Sequence, residues 1–196
     1  MVIGIFHLSP PVFWPVTIRT RRRARASRNS APSSDGTCAC LDIETTGLSP
    51  FYSDLTVVDI CLDFGSGQEV VQLVGDRITR ASVAEALAES DTVYTYNGER
   101  FDLPFIHAKL GVHIPSTHQH TDLMHDCWNR GLYGGFKGVE RKLGIQRELT
   151  GVDGRMAVEL WYRYINDGSE EALETLLAYN REDVVNLRER RKKLGV

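Results

Sequence analysis

The residues best placed to do chemistry are acids at a strand end. Asp42 and Glu44 stand in Leu41-Asp42-Ile43-Glu44-Thr45-Thr46-Gly47-Leu48, directly after Thr37-Cys38-Ala39-Cys40, a breaker-free run of small apolar residues that reads as a strand. Residues two apart on a strand point to the same face, so the two carboxylates project together. Such neighbours repel each other and are costly to desolvate. A divalent cation removes both penalties, because hard cations such as magnesium prefer carboxylate oxygens. The pair alone decides little. With Asp and Glu at about 6% each, a chance Asp-x-Glu is expected roughly 0.7 times in a chain of this length, and a solvated strand end would look the same. Its weight rests on further carboxylates.

Two more segments offer them. In Tyr94-Thr95-Tyr96-Asn97-Gly98-Glu99-Arg100-Phe101-Asp102 a strand runs into an Asn-Gly turn, and Asp102 falls in the first turn of the next helix. A carboxylate there is either an ordinary first-turn residue favoured by the helix dipole or a group aimed across the strand ends toward Asp42. In Tyr179-Asn180-Arg181-Glu182-Asp183 the tyrosine and the aspartate are four apart and share one helical face. That face adjoins an apolar stripe, which holds both side chains at the edge of the core; a helix-surface pair is the plain alternative.

The elements that must position these groups follow from periodicity and turn signals. After the first strand, Asp54–Phe64 is rich in β-branched residues, with Thr56, Val58, Ile60, Leu62 and Phe64 on one face. Gly65-Ser66-Gly67 is a hairpin turn and Gln68–Val74 the returning strand, which makes an antiparallel three-strand meander. A helix is predicted over Thr79–Ser90, a strand over Thr92–Tyr96, a helix over Phe101–Leu110 closed by Gly111, and a strand over Thr117–Thr121. Asp122 caps a helix over Leu123–Asn129. Helices over Phe136–Leu143, Arg155–Asn166 and Ser169–Lys193 complete the chain, the last with Leu173, Leu176, Leu177, Asn180, Val184 and Leu187 as its core stripe. The pattern is an α/β sheet of mixed direction flanked by helices.

At 196 residues and 42% hydrophobic content the chain builds one core. The net charge of −3 hides an asymmetry. Residues 1–34 carry six Arg, no Lys and no acid, so the remaining 162 hold 17 of the 23 basic and all 26 acidic groups, a balance of −9. Bulk attraction to nucleic acid is not what that composition advertises, and a metal-binding carboxylate cluster accounts for part of the excess. Cys38, Cys40, Cys61 and Cys127 match no zinc spacing and call for no disulfide, which favours a reducing compartment. Residues 1–36 are expected to be a disordered basic leader outside the folded domain of 37–196. Its apolar start is interrupted by Pro10, Pro11 and Pro15 and is too short to span a membrane. The Arg- and Ser-rich leader fits an organellar transit peptide, a basic nucleic-acid arm, or an unstructured passenger translated from a start codon set too far upstream. A cytoplasmic location is expected, or an organellar one if the leader is a transit peptide.

Taken together, the three acidic segments resemble the three motifs of the DEDD 3′→5′ exonucleases, which have the ribonuclease H-like fold. Asp42 and Glu44 match the first motif, Asp102 the second and Asp183 the third, and Tyr179 marks the tyrosine subclass, DEDDy. The stretch Tyr96-Asn97-Gly98…Phe101-Asp102 is similar to the second motif of the proofreading domain of family B DNA polymerases. Gly134-Gly135-Phe136-Lys137-Gly138-Val139-Glu140-Arg141-Lys142-Leu143-Gly144-Ile145 further resembles YprB-like exonucleases. The resemblance covers about residues 37–190 and leaves the leader unexplained. It implies that Asp42, Glu44, Asp102 and Asp183 hold two divalent ions, Mg2+ with Mn2+ as substitute, about 3.5–4 Å apart. It implies that Tyr179 orients or deprotonates the attacking water, and that Thr45, Leu48 and Asn97 contact the terminal nucleotide. The substrate would be single-stranded DNA or RNA with a free 3′ end. A non-catalytic binding module or a structure-specific endonuclease on the same fold are the alternatives.

Two other groups invite a functional reading. Tyr133, Phe136, Lys137 and Trp128 surround a glycine break and could stack bases and hold phosphate, with Lys137 the better contact; equally, Trp128 and Phe136 could anchor two helices. His118, His120 and Asp122 could imitate a metal site, but a solvated edge strand followed by a helix cap explains them better.

Overall fold

A computed structural model describes residues 17–23 and 36–196. Its strands are β1 (Thr17–Arg23), β2 (Cys38–Thr45), β3 (Leu55–Asp63), β4 (Gly67–Val74), β5 (Thr92–Thr95) and β6 (Gln119–Asp122). They form one six-stranded sheet in the order β1-β4-β3-β2-β5-β6. The meander β2-β3-β4 is antiparallel, while β5 runs parallel to β2 and β6 parallel to β5. The expected mixed sheet is the one observed. The helices are α1 (Arg80–Leu87), α2 (Asp102–Leu110), α3 (Leu123–Asn129), α4 (Phe136–Leu143), α5 (Gly154–Asp167) and α6 (Glu170–Leu194). No helix among the described residues is long and apolar enough to cross a membrane.

Strand alternation divides the core. Ala39, Leu41 and Ile43 of β2, with Val58, Ile60 and Leu62 of β3, face α1 and α2, where Val83, Leu87, Leu103, Phe105 and Ile106 meet them. Cys40 and Cys61 face the opposite side, against Leu123, Cys127, Val139, Val184 and Leu187 of α3, α4 and α6. All four cysteines are buried free thiols. Asp42 and Glu44 continue the Cys40 side of β2, so the same period that builds the core sends both carboxylates toward α6.

Two expectations need correction. Thr17–Arg23, expected to belong to a disordered leader, is an edge strand paired antiparallel with β4 from Thr17↔Leu73 to Arg23↔Gly67. The backbone edge of β4 supplies the pairing that the Arg-rich sequence does not advertise, and Ile18 is half-buried against the α5–α6 cluster. The rest of the leader before residue 36 lies outside the described residues. The sixth strand is also shorter than the expected Thr117–Thr121. A 3-10 turn over Ile114–Ser116 draws Thr117 and His118 onto the Ile114 carbonyl before pairing with β5 begins at Gln119.

Candidate active site

The C-terminal ends of β2 and β5, the first turn of α2, the glycine break before α4 and the middle of α6 enclose a cavity of about 370 Å3. Asp42, Glu44, Asn97, Asp102, Phe136, Lys137, Tyr179 and Asp183 all contribute to its wall. Carboxylate oxygens of Asp42, Glu44 and Asp183 lie within 4.8 Å of one another. Asp102 shares the cavity but stands outside that tight group.

Each acid reaches the cavity for a local reason. Asp42 and Glu44 sit two apart on β2, and the ladder slips between Glu44 and Thr45, which ends regular pairing just past the site. Asp102 opens α2 after the turn in which Asn97 adopts a left-handed φ of 65°. Gly98 is required there, because a Cβ at that position would stand 2.4 Å from the side chain of Thr95. Asp122 fixes the turn: its carboxylate accepts from the backbone N–H of Asn97 at 2.8 Å and of Glu99 at 3.1 Å, and caps α3 through Met124 at 3.0 Å. On α6, Tyr179 and Asp183 lie one turn apart and both line the cavity.

The electrostatics are those of crowded, desolvated acids. Burial, then the charges of Asp102, Asp183 and Glu44, push Asp42 well above the usual carboxylate range. Glu44 is raised in the same way by burial and by Asp183, Asp59 and Asp102. Burial lifts Asp102 to about 7 despite hydrogen bonds from its own backbone N–H and that of Ile43. Asp183 is raised by burial, and the adjacent Arg147 guanidinium offsets only part of the shift. Burial and the surrounding carboxylates drive the Tyr179 phenol far above its ordinary value. Three desolvated carboxylates with converging oxygens are the donor set a hard divalent cation takes, so the residues fit the ion that the sequence implied.

The predicted contacts divide. Asn97 and Lys137 line the cavity, although the Lys137 ammonium donates to the Val152 carbonyl and lies 4.9 Å from the Tyr179 ring centre. Thr45 and Leu48 do not line it. Thr45 Oγ1 donates to the Gly47 carbonyl at 2.7 Å, and Leu48 is 86% exposed on the β2–β3 loop. Phe136 joins the wall, edge-on to Tyr96, with the Arg190 guanidinium 3.9 Å from its ring centre. Trp128 lies instead against His125 and Arg100. His118 and His120 are occupied by Thr117, the Leu87 carbonyl and Thr95, in keeping with an edge strand and a cap.

Several residues of the site were not singled out in the sequence. Asn180, assigned only to the core stripe, donates to Asp42 Oδ2 at 2.6 Å. A fully buried amide in an apolar stripe was the available signal. Behind it, Asp59 pairs in register with Asp42 and Gln72 and accepts from Gln72 Nε2 at 2.7 Å. Arg147 and Glu140 carried no local signal, because their importance lies in partners distant along the chain.

Solved structures with this fold include a family B DNA polymerase from the hyperthermophilic archaeon Pyrobaculum calidifontis, matched at TM-score 0.65 and 16% identity over 91% of this chain and 28% of that one. This chain therefore spans little more than a quarter of the polymerase. Brucella melitensis NrnC bound to pGG matches at TM-score 0.54 and 21% identity, over 80% of this chain and 71% of that one. A structure described as the apo form of the nuclease matches at TM-score 0.54 and 24% identity, over 80% and 70%. No protein of curated function matches the chain. A family model described as RNase_H superfamily matches residues 39–194, a span that contains every acid of the cavity. The chain belongs to the RNase H superfamily.

Proposed function

We propose that this chain is a divalent-metal-dependent 3′→5′ exonuclease of the DEDDy, YprB-like type, which shortens single-stranded DNA or RNA from a free 3′ end and releases nucleoside 5′-monophosphates. The observation that carries the reading is the convergence of Asp42, Glu44 and Asp183 oxygens within 4.8 Å in a cavity shared with Asp102 and Tyr179. Four desolvated acids around one cavity serve hydrolysis at phosphate better than they serve passive binding of a polyanion, which they would repel.

Asp42, Glu44, Asp102 and Asp183 would hold two Mg2+ ions, with Mn2+ as substitute. When bound, such ions supply a Lewis acid that activates water near neutral pH and stabilises the departing 3′ oxygen. The protein does the rest. Asn180 steadies Asp42, and the turn tied down by Asp122 sets the direction of Asp102. Tyr179, held as a neutral phenol by its surroundings, is suited to orienting the attacking water through its hydroxyl and not to removing a proton. Phe101, Met124 and Phe136 give the cavity an apolar wall suited to the terminal base. The fold shared with NrnC, solved with pGG bound, supports a short single strand as the ligand class.

The test is digestion of single-stranded DNA and RNA, each labelled at the 3′ or the 5′ end, with Mg2+ or EDTA. The reading expects immediate release of the 3′ label as a mononucleotide, a descending ladder from the 5′-labelled strand, and no cleavage in EDTA. Discrete internal fragments would instead make the enzyme an endonuclease.

A further inference from the structure

We infer that Arg147, clamped by Glu140, is a positioning residue that sets Asp183 for cation binding and takes no part in holding substrate phosphate. The inference rests on the proposal that Asp183 is a metal ligand. Arg147 follows α4 in the loop that leads toward α5, and its side chain is only 7% exposed. Its Nε and Nη2 donate to the two oxygens of Glu140 at 3.0 and 2.9 Å, a two-pronged pair with an acid that is itself 2% exposed. The same Nη2 donates to Asp183 Oδ1, and Nη1 stands 3.6 Å from Glu182 Oε2. The guanidinium carbon lies 5.7 Å from the Phe136 ring centre and 5.8 Å from that of Tyr179.

These contacts engage Nε and Nη2 with carboxylates, leave Nη1 buried beside Glu182 without a hydrogen bond, and place two aromatic rings beside the guanidinium. Arg147 does not line the cavity, so it offers no free fork to a phosphate. What it does reach is one oxygen of Asp183, which fixes how that carboxylate sits in the cavity wall. The order of support therefore runs from Glu140 on α4, through Arg147, to Asp183 on α6. Partners that orient a metal-binding carboxylate in this way commonly govern affinity for the ion.

A purely structural role is the competing account, and it has a basis. Glu182 accepts from the backbone N–H of Glu148 and Leu149, and Asn186 donates to the Gln146 carbonyl, so the whole 146–149 loop is fastened along α6. The two accounts diverge when the buried pair is removed as a unit. Replacing a buried ion pair with apolar residues of similar volume is often neutral or stabilising, so Glu140→Leu combined with Arg147→Met should fold without a large loss of stability.

The experiment measures Mn2+ binding by calorimetry and thermal unfolding by circular dichroism on the whole chain. We expect the double variant to unfold cooperatively while its Mn2+ affinity falls by roughly ten- to a hundredfold. Unchanged affinity in the folded double variant, with wild-type binding intact, would overturn the inference and leave the metal reading standing. A wild-type protein that binds no Mn2+ would overturn the metal reading itself. If the double variant lacks a cooperative transition, Arg147→Lys carries the test. It keeps the charge beside Glu140, but a single ammonium lacks the planar fork that bridges both acids. We expect a clear loss of Mn2+ affinity there too, and wild-type affinity would overturn the inference.

Discussion

Among the described residues two places bring three metal-ligand side chains together, and they differ in what surrounds them. Oxygens of Asp42, Glu44 and Asp183 converge in one; oxygens of Glu99 and Asp122 and a ring nitrogen of His125 converge in the other. In the second, every group is already satisfied. Asp122 accepts three backbone N–H groups, and Glu99 pairs with His125 at 3.0 Å on the surface. In the first, Glu44 finds no hydrogen-bond donor among the described residues, Asp42 has the one amide of Asn180, and only Asp183 has a cationic partner, Arg147. Proximity alone therefore does not make a site. Acids that the fold has desolvated and left facing one another do.

The largest effect expected from this contrast is at Asp42. Asp42→Asn keeps an acceptor for the Asn180 amide and removes only the charge. Single-turnover cleavage should fall by about a thousandfold or more, several kcal/mol of transition-state stabilisation, while the circular dichroism spectrum is unchanged. A variant that retains near-native cleavage would erase the distinction between the clusters.

A smaller effect of a different kind is expected in the other cluster. Asp122→Ala removes the α3 cap and leaves the Asn97 and Glu99 N–H groups without their acceptor. Chemical denaturation should show a loss of roughly 2–3 kcal/mol, with the stabilisation by Mg2+ still present. Complete loss of the Mg2+ response in a folded Asp122→Ala protein would show that cation binding depends on the Asn97–Glu99 turn, and through it on Asp102, more than on the Asp42, Glu44 and Asp183 group.

The smallest effect marks the other end of the scale. His125→Ala breaks an exposed pair with Glu99, and such pairs contribute little. Stability should stay within about 0.5 kcal/mol of wild type, and cleavage should not change. A deficit in either would promote the surface cluster from a turn-and-cap device to a functional one.

The contrast also explains what could be read from the sequence. Asp42, Glu44, Asp102, Tyr179 and Asp183 were legible because strand and helix periods carry each one to its face, and the cavity gathers all five. The cap at Asp122 was legible too, since capping is local. The second duty of Asp122, holding the Asn97–Gly98 turn 25 residues upstream, was not. Arg147 was silent for the same reason, as Asp183 lies 36 residues away. Thr45 and Leu48, which the resemblance implies contact the terminal nucleotide, stand outside the cavity, because the ladder slip after Glu44 carries the chain into the exposed β2–β3 loop. The edge strand β1 was missed because its pairing comes from β4 and its own sequence lacks apolar alternation.

The central claim is that Asp42, Glu44, Asp102 and Asp183 together take a divalent cation, and thermal unfolding between pH 4 and 8, in EDTA and in saturating Mg2+, tests it most directly. Unfolded carboxylates titrate near pH 4, whereas burial holds Asp102 at about 7 and raises Asp42, Glu44 and Asp183. Between those limits the folded state binds more protons than the unfolded one, so these groups lower stability as pH rises. Mg2+ binds the deprotonated acids. The stabilisation by Mg2+, read as the gap between the two melting curves, should therefore be near zero at pH 4 and widen steadily through pH 7. Curves that superimpose across the whole range would contradict the claim.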